Sequence, residues 1–309
     1  MRGALRTLPR APANEAGPGY EIIKRPSGEI LSLKGKWRDE VSEVAVARGL
    51  KHLRISVYAG WQGDEIGFLL RLGQIETLDI VAPTVRDFSP LYSLSRLRKL
   101  SLNGKTGSID FTQLPALEDV SLGSWSAKHM SSVFRCGNLK NLAIAGYSGP
   151  DLREFDPLTQ KLEGLSLGRL KIENLFGLPA FPRLIRLFIT LAARLKSLEG
   201  VERSLGLQVL CVEQARELTR IDAVAQLRKL RTLIFSNCPQ IESIRCIEGL
   251  PELATVGLME KTNVIDGDIA VLKTLPALIH ARFVDRPHYS NRRAEFPAEK
   301  GRLAPPFFY

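Results

Sequence analysis

Histidine, cysteine and serine are the residues of this chain that could do chemistry, and their spacing supports little of it. The four histidines, His52, His129, His280 and His288, are scattered. The four cysteines, Cys136, Cys211, Cys238 and Cys246, form no CxxC pair. A zinc site needs Cys or His pairs at ligand spacing, and a disulfide framework needs a denser set. The stretch RPHYSNRR, residues 286–293, puts His288 two residues before Ser290. No Gly-x-Ser-x-Gly elbow frames that pair. A P-loop, a dinucleotide-binding glycine pattern, HExxH and an EF-hand loop are all missing from the sequence. These residues therefore point to a protein that is not an enzyme and that carries no cofactor and no metal. Thiols kept free in a reducing cytosol fit the cysteine usage, so the expected location is cytoplasmic.

Charge and hydropathy bound the partners. The chain has 309 residues, 44% of them hydrophobic, and a formal net charge of +10. No apolar run approaches the roughly 18–20 residues that a membrane span needs. The first residues, MRGALRTLPRAPANEAGPGY, lack the apolar core of a secretory signal and read as a disordered leader. The positive charge favours an acidic protein partner and also permits nucleic acid. Lys and Arg are spread along the chain, often beside Glu or Asp, and no long basic block marks a phosphate-binding stripe.

What must position any functional residue is a repeat. The pattern L-x-x-L-x-L occurs at Leu50-Leu53-Ile55, Ile75-Leu78-Ile80, Leu97-Leu100-Leu102, Leu117-Val120-Leu122, Leu139-Leu142-Ile144 and Leu162-Leu165-Leu167. It continues at Leu184, Leu207, Leu230 and Leu253, with a degenerate copy at Leu278, and successive starts lie 20–25 residues apart. A near-constant period of this size is the signature of a solenoid. In each unit the fourth and sixth residues point to one side of a strand. One such strand cannot bury that face alone, and parallel stacking joins the faces into a continuous core. The return half has apolar anchors three residues apart, as at Ile172 and Leu175 or Ile241 and Ile244. That spacing, with Pro157, Pro179 and Pro251 nearby, predicts turns and short 3₁₀ segments rather than long helices.

These units resemble the leucine-rich repeat family, and their length and second halves, as in SNCPQIESIRCIEGLPEL, are most similar to the short 22-residue type of bacterial internalin-like proteins. The resemblance implies an α/β solenoid, a right-handed horseshoe or arc. A concave parallel sheet of 10–11 short strands would face a convex side of turns and short 3₁₀ segments. At the ninth unit position the family often has Asn or Cys. Cys238 fits, whereas Lys105, Trp125, Tyr147 and Leu170 depart from it.

The expected organisation is a leader over 1–19, an N-terminal cap over 20–49, the solenoid over 50–283, and a C-terminal cap and tail over 284–309. The cap should hold a hairpin around Pro26-Ser27-Gly28 and a short helix closed by Gly49. The tail ends in PPFFY, which could dock back onto the solenoid.

Third and fifth unit positions lie on the concave face. They offer Arg54, Asp79, Lys99, Asp119, Arg186, Phe188, Ile234 and Arg282 as partner-binding candidates. Charged residues mark both ends of the row, and small ones, such as Gly123, Ala145 and Gly168 just after the strands, floor the middle. Phe188, Val209, Cys211 and Ile234 make an apolar patch that either binds a partner or is covered by another part of the chain. Trp125 and Tyr147 share one unit position in consecutive repeats. They form either a partner-binding aromatic rail or a filler for the missing asparagine ladder. The function expected is a non-catalytic protein-protein interaction module, in a sharper form an immunity or antitoxin-like protein, with nucleic-acid binding as the alternative.

Overall fold

A computed structural model describes residues 15–104, 107–158 and 160–297. The chain divides into two compact units, residues 1–117 and 118–309, and the border falls inside the repeat array.

In the first unit, β1 (Glu15–Gly17), β2 (Tyr20–Arg25) and β3 (Gly28–Leu33) form an antiparallel meander. The turn between β2 and β3 falls at Pro26-Ser27, where proline removes a ladder donor and Gly28 takes a φ of 123°. Glu15–Gly17 pairs with β2, so the segment expected to belong to a disordered leader is structured from Glu15 onward. Helix α1 (Glu40–Ala47) follows, and Gly49, with φ 61°, closes it. Then come β4 (His52–Ser56), β5 (Thr77–Val81) and β6 (Lys99–Leu102), paired in parallel with one another, with β3 pairing in parallel to β4.

The second unit carries β7 (Asp119–Leu122), β8 (Asn141–Ala145), β9 (Gly164–Gly168), β10 (Arg186–Thr190) and β11 (Val209–Glu213). It ends with β12 (Thr232–Ser236), β13 (Thr255–Met259) and β14 (His280–Phe283). These strands pair in parallel in strict chain order. All eleven strands from β4 to β14 begin within the predicted L-x-x-L-x-L units. The returns are short 3₁₀ turns, such as Asp222–Gln226 and Arg245–Ile247, plus one four-residue helix, α2 (Ala127–Met130). The core is the stack of fourth- and sixth-position residues, and Leu53, Leu78, Leu165, Leu187, Leu210 and Leu233 are all at most 1% exposed. The return anchors Leu175, Leu195, Leu198, Leu218 and Ile241 close it from the other side at 0%.

The eighth position has a backbone role that its residue types do not announce. Arg169, Leu191, Gln214, Asn237 and Glu260 stand there in five consecutive repeats with φ between 53° and 56°. In the left-handed region their amide N–H groups turn toward the next repeat, where Arg169 donates to Thr190 O, Leu191 to Glu213 O and Gln214 to Ser236 O. The strain of a left-handed non-glycine residue, about 1–2 kcal/mol, is set against a hydrogen bond that continues the ladder beyond each strand.

Downstream of β14, the stretch that set His288 near Ser290 closes the last repeat. The Tyr289 hydroxyl accepts from Val264 N at 3.0 Å, and Arg286 Nη2 donates to Thr262 O at 3.0 Å. Ser290 Oγ accepts from both Ile269 N and Ala270 N at 3.0 Å. The ring of His288 sits 3.0 Å from Val264 O through Nε2, so that nitrogen carries the proton and donates. His288 and Ser290 are each engaged by backbone groups of the preceding repeat.

Candidate functional site

The candidates on the strands project from the sheet face opposite the leucine core, because third and fifth positions alternate with the buried fourth and sixth. In the first unit, parallel register puts Arg54 beside Asp79, and His52 stands two residue pairs before them, beside Thr77. His52 Nε2 lies 2.9 Å from Asp79 Oδ2, and Arg54 Nη2 lies 3.5 Å from the same oxygen. All three side chains are about a third exposed or less. Burial pushes the Asp79 carboxyl up, but the His52 hydrogen bond, the His52 charge and Arg54 together outweigh it and hold the group below its ordinary value. Lys99, on β6, is exposed on the same face.

In the second unit a polar chain runs across that unit's own strands at the third position. Asn141 Nδ2 donates to Asp119 Oδ1 at 2.5 Å across neighbouring strands. Arg186 Nη2 donates to Asn141 Oδ1 at 3.3 Å, although β9 lies between β8 and β10. The residue of β9 in that register is Gly164, and a Cβ there would collide with Asn141 Oδ1. Asp119 and Arg186, chosen from sequence, are thus joined through two residues that were not chosen. Asn141 and Gly164 stand at the same third position, and the signal that could have found them is the order Asn-Gly-Arg along that column.

Arg282, on β14, is exposed. Phe188 and Ile234 are not, at 3% each, with Cys211 between them at 6%. Their apolar patch is therefore covered surface and not open surface. Partly buried Val209 and Met259 pack against it. A cavity of about 190 Å³ opens beside the row, lined among others by Thr190, Glu213, Ser236 and Met259.

The aromatic rail is corrected in part. Tyr147 is 0% exposed, its hydroxyl donates to Asp151 O at 2.8 Å, and Glu154 Oε2 lies at 3.2 Å. Burial, then the Glu154 carboxylate, pushes its phenol well above the ordinary value. Trp125 is half-buried, with its ring 5.8 Å from Tyr147 and 5.3 Å from Phe134. Phe155 completes the cluster, 4.7 Å from Phe134 and 5.2 Å from Tyr147. The ninth position points inward, and large rings fill the space that Ala192, Ala215 and Cys238 fill at 0% exposure in later repeats. Tyr147 is a core residue, and only the exposed edge of Trp125 could meet a partner. Lys105 lies outside the described residues.

The cysteines divide likewise. Burial pushes the thiols of Cys211 and Cys246 up to about 12 and that of Cys238 up to about 11. Cys238 Sγ donates to Ser236 O at 3.5 Å and lies 3.7 Å from Val212 O. Protonated and enclosed, such thiols are poor nucleophiles. Among the described residues, no three His, Cys, Asp or Glu side chains come together as a metal site, and no helix is long and apolar enough to cross a membrane.

No protein-family model and no curated protein matches the sequence. Solved structures do match. An internalin from Listeria monocytogenes aligns at a TM-score of 0.61 with 18% identity, covering 86% of this chain and 83% of that one. A leucine-rich repeat protein from Leptospira interrogans aligns at 0.53 with 18% identity, covering 82% of this chain and 66% of its own. At such identity the likeness shows the fold, and that fold is the leucine-rich repeat fold, as the residues predicted.

Proposed function

We propose that this chain is a non-catalytic binding module of a bacterial cell that takes a protein partner on the open face of its sheet. The observation that carries the reading is the Asp119–Asn141–Arg186 chain, in which charged ends are held in place by a central amide. Side chains already fixed by one another lose less freedom when a partner arrives, and fixed charges of both signs select a complementary surface. The His52–Asp79–Arg54 group supplies a second fixed cluster of the same kind. The net charge of +10 favours an acidic partner. A toxin domain neutralised by an immunity or antitoxin-like protein is one partner of that sort, and a cytoplasmic adaptor role is the broader form of the same reading.

Affinity capture from the source lysate tests it, with Arg186→Ala and Arg54→Ala run beside wild type. The reading expects a protein held by wild type and released by at least one variant at an unchanged melting temperature. A partner held equally by both variants refutes the face assignment. The net charge also gives nucleic acid a specific claim. Filter binding at low salt decides it, because phosphate contacts would show affinity that falls steeply as salt rises.

A further inference from the structure

Lys34-Gly35-Lys36-Trp37-Arg38, in the loop between β3 and α1 of the first unit, lines a cavity of about 450 Å³ together with Gly19. The loop is held from several directions. Lys34 N donates to Gly19 O at 2.9 Å, Gly35 N to Gly60 O at 2.7 Å, and Gln62 N to Gly35 O at 2.9 Å. The indole of Trp37 stacks on Phe68, with centroids 3.9 Å apart and planes 4° apart, and its Nε1 donates to Asp39 Oδ1 at 3.1 Å. The stem of Arg38 lies along the turn at Gly19, where an added Cβ would stand 3.3 Å from Arg38 Cδ. These contacts leave the loop's own donors unspent. Among the described residues, the amide N–H groups of Lys36, Trp37 and Arg38 donate to no backbone carbonyl. Lys36 and Arg38 are exposed, and among the described residues neither has a carboxylate partner. The carboxylates beside the loop are engaged elsewhere: Glu21 lies 3.1 Å from Lys34 Nζ, and Asp39 lies 2.9 Å from Arg71 Nη1. Glu40 and Glu43 stand on α1 and do not line the cavity.

We propose that this cavity binds the phosphate group of a small, soluble phosphate monoester. Lys36 and Arg38 bring two charges that no carboxylate of the fold answers, and the loop adds amide donors that the fold does not use. A phosphate monoester above its second pKa is a dianion with three terminal oxygens, all strong acceptors. It matches both the charge and the donors. A carboxylate has one charge and two oxygens, and would leave a cation unanswered. A nucleic-acid phosphodiester likewise carries a single charge at each phosphate. The Arg38 guanidinium can fork onto two oxygens, whereas the Lys36 ammonium acts as a point charge. The cavity is larger than a phosphate group alone and falls in the size range of small-molecule sites, so there is room for the ester's organic part. Stacking on Phe68 and the bonds to Gly19 and Gly60 fix the loop before a ligand arrives, which limits the freedom lost on binding. The site belongs to the N-terminal cap, and its assignment is independent of what the open face of the sheet binds.

Phenyl phosphate, with benzoate as the carboxylate control, tests it on the full chain by titration calorimetry at low ionic strength. At about pH 7.5, above the second phosphate pKa of about 6, phenyl phosphate should bind saturably at one site per chain and benzoate should not. Lys36→Ala and Arg38→Ala should each weaken binding by about 10-fold, the loss expected for one charged hydrogen bond. Lys36→Arg should retain it, and all three variants should keep the wild-type melting temperature, since neither side chain is buried. Arg183→Ala removes an exposed cation from the second unit and should change nothing. In a proton–nitrogen correlation spectrum the indole signal of Trp37, assigned by its loss in Trp37→Phe, should move on saturation. Absence of saturable binding overturns the proposal. So does benzoate binding as tightly as phenyl phosphate, or a loss in Arg183→Ala equal to that in Arg38→Ala. Retention on phosphatidylcholine vesicles carrying phosphatidic acid, with no binding of phenyl phosphate, would make the ligand a lipid headgroup and overturn the soluble ester.

Discussion

Arg186 hydrogen-bonds Asn141 at 3.3 Å over the top of a whole strand, because Gly164 on that strand has no side chain to separate them. Neighbouring strands are about 4.8 Å apart, so a direct bond between β8 and β10 needs a gap of this kind. A Cβ at Gly164 meets the far end of the Asn141 amide, which can swing away, and a strand-interior Gly→Ala change itself favours folding by about 0.5–1 kcal/mol. Gly164→Ala should therefore hold stability within about 1 kcal/mol of wild type while breaking the Asp119–Asn141–Arg186 chain. For the captured partner, Gly164→Ala and Arg186→Ala should each weaken binding. The double variant should be no weaker than the poorer single, since both remove one arrangement. Fully additive losses in that cycle would mean the two residues act separately.

The left-handed eighth position predicts opposite signs at two sites. Leu191 holds φ 54° with its side chain 49% exposed, so the residue carries backbone strain and contributes little core. Leu191→Gly should raise the free energy of unfolding by about 1 kcal/mol. Gly146 takes the equivalent place with φ 84°, and Gly146→Ala should lower it by about as much. Urea unfolding of both variants checks the pair. A loss in Leu191→Gly would show that the leucine packs more than its exposure says.

Those five non-glycine residues also mark where sequence reading stops. The strands and return anchors were legible because burying Leu165 or Leu198 requires an apolar residue at a fixed spacing, and spacing is written in the chain. The hairpin was legible through Pro26-Ser27-Gly28, and the closing glycine of α1 through Gly49. The left-handed turns were not, since Arg, Leu, Gln, Asn and Glu stand at those positions and the surrounding ladder imposes the conformation. Alternation assigned Phe188 and Ile234 to the outer face correctly but could not say that the face is covered there. It could not say that Trp125 and Tyr147 turn inward either, because the ninth position lies past the strand, where a period of two no longer applies.

The inward turn of Tyr147 separates two rings that look alike in sequence. Tyr147→Ala removes a fully buried ring and should cost about 3–5 kcal/mol, similar to Leu165→Ala. Tyr147→Phe keeps the ring and loses the bond to Asp151 O, for a cost of about 1 kcal/mol. Half-buried Trp125 should fall between Tyr147→Ala and a surface change. Thermal or urea unfolding of the four variants gives the order. Trp125→Ala as damaging as Leu165→Ala would make Trp125 a core filler and remove it from the binding face altogether.

Asp79 gives the acid side of the stability profile a definite sign. Its folded carboxyl titrates below the ordinary value, despite burial, because of His52 and then Arg54. A carboxyl depressed on folding contributes stability that is fully present above its unfolded pKa of about 3.9 and is lost as pH falls through the lower folded value. Asp79→Asn should therefore be less stable than wild type at pH 6, and the gap should narrow steadily below about pH 4 as wild type gives up the ionised form. Unfolding in urea from pH 6 down to pH 3 reads the difference directly. A gap that stays constant across that range would assign the effect to lost packing or hydrogen bonding, and the charge on Asp79 would then contribute nothing to holding His52 and Arg54 on the face.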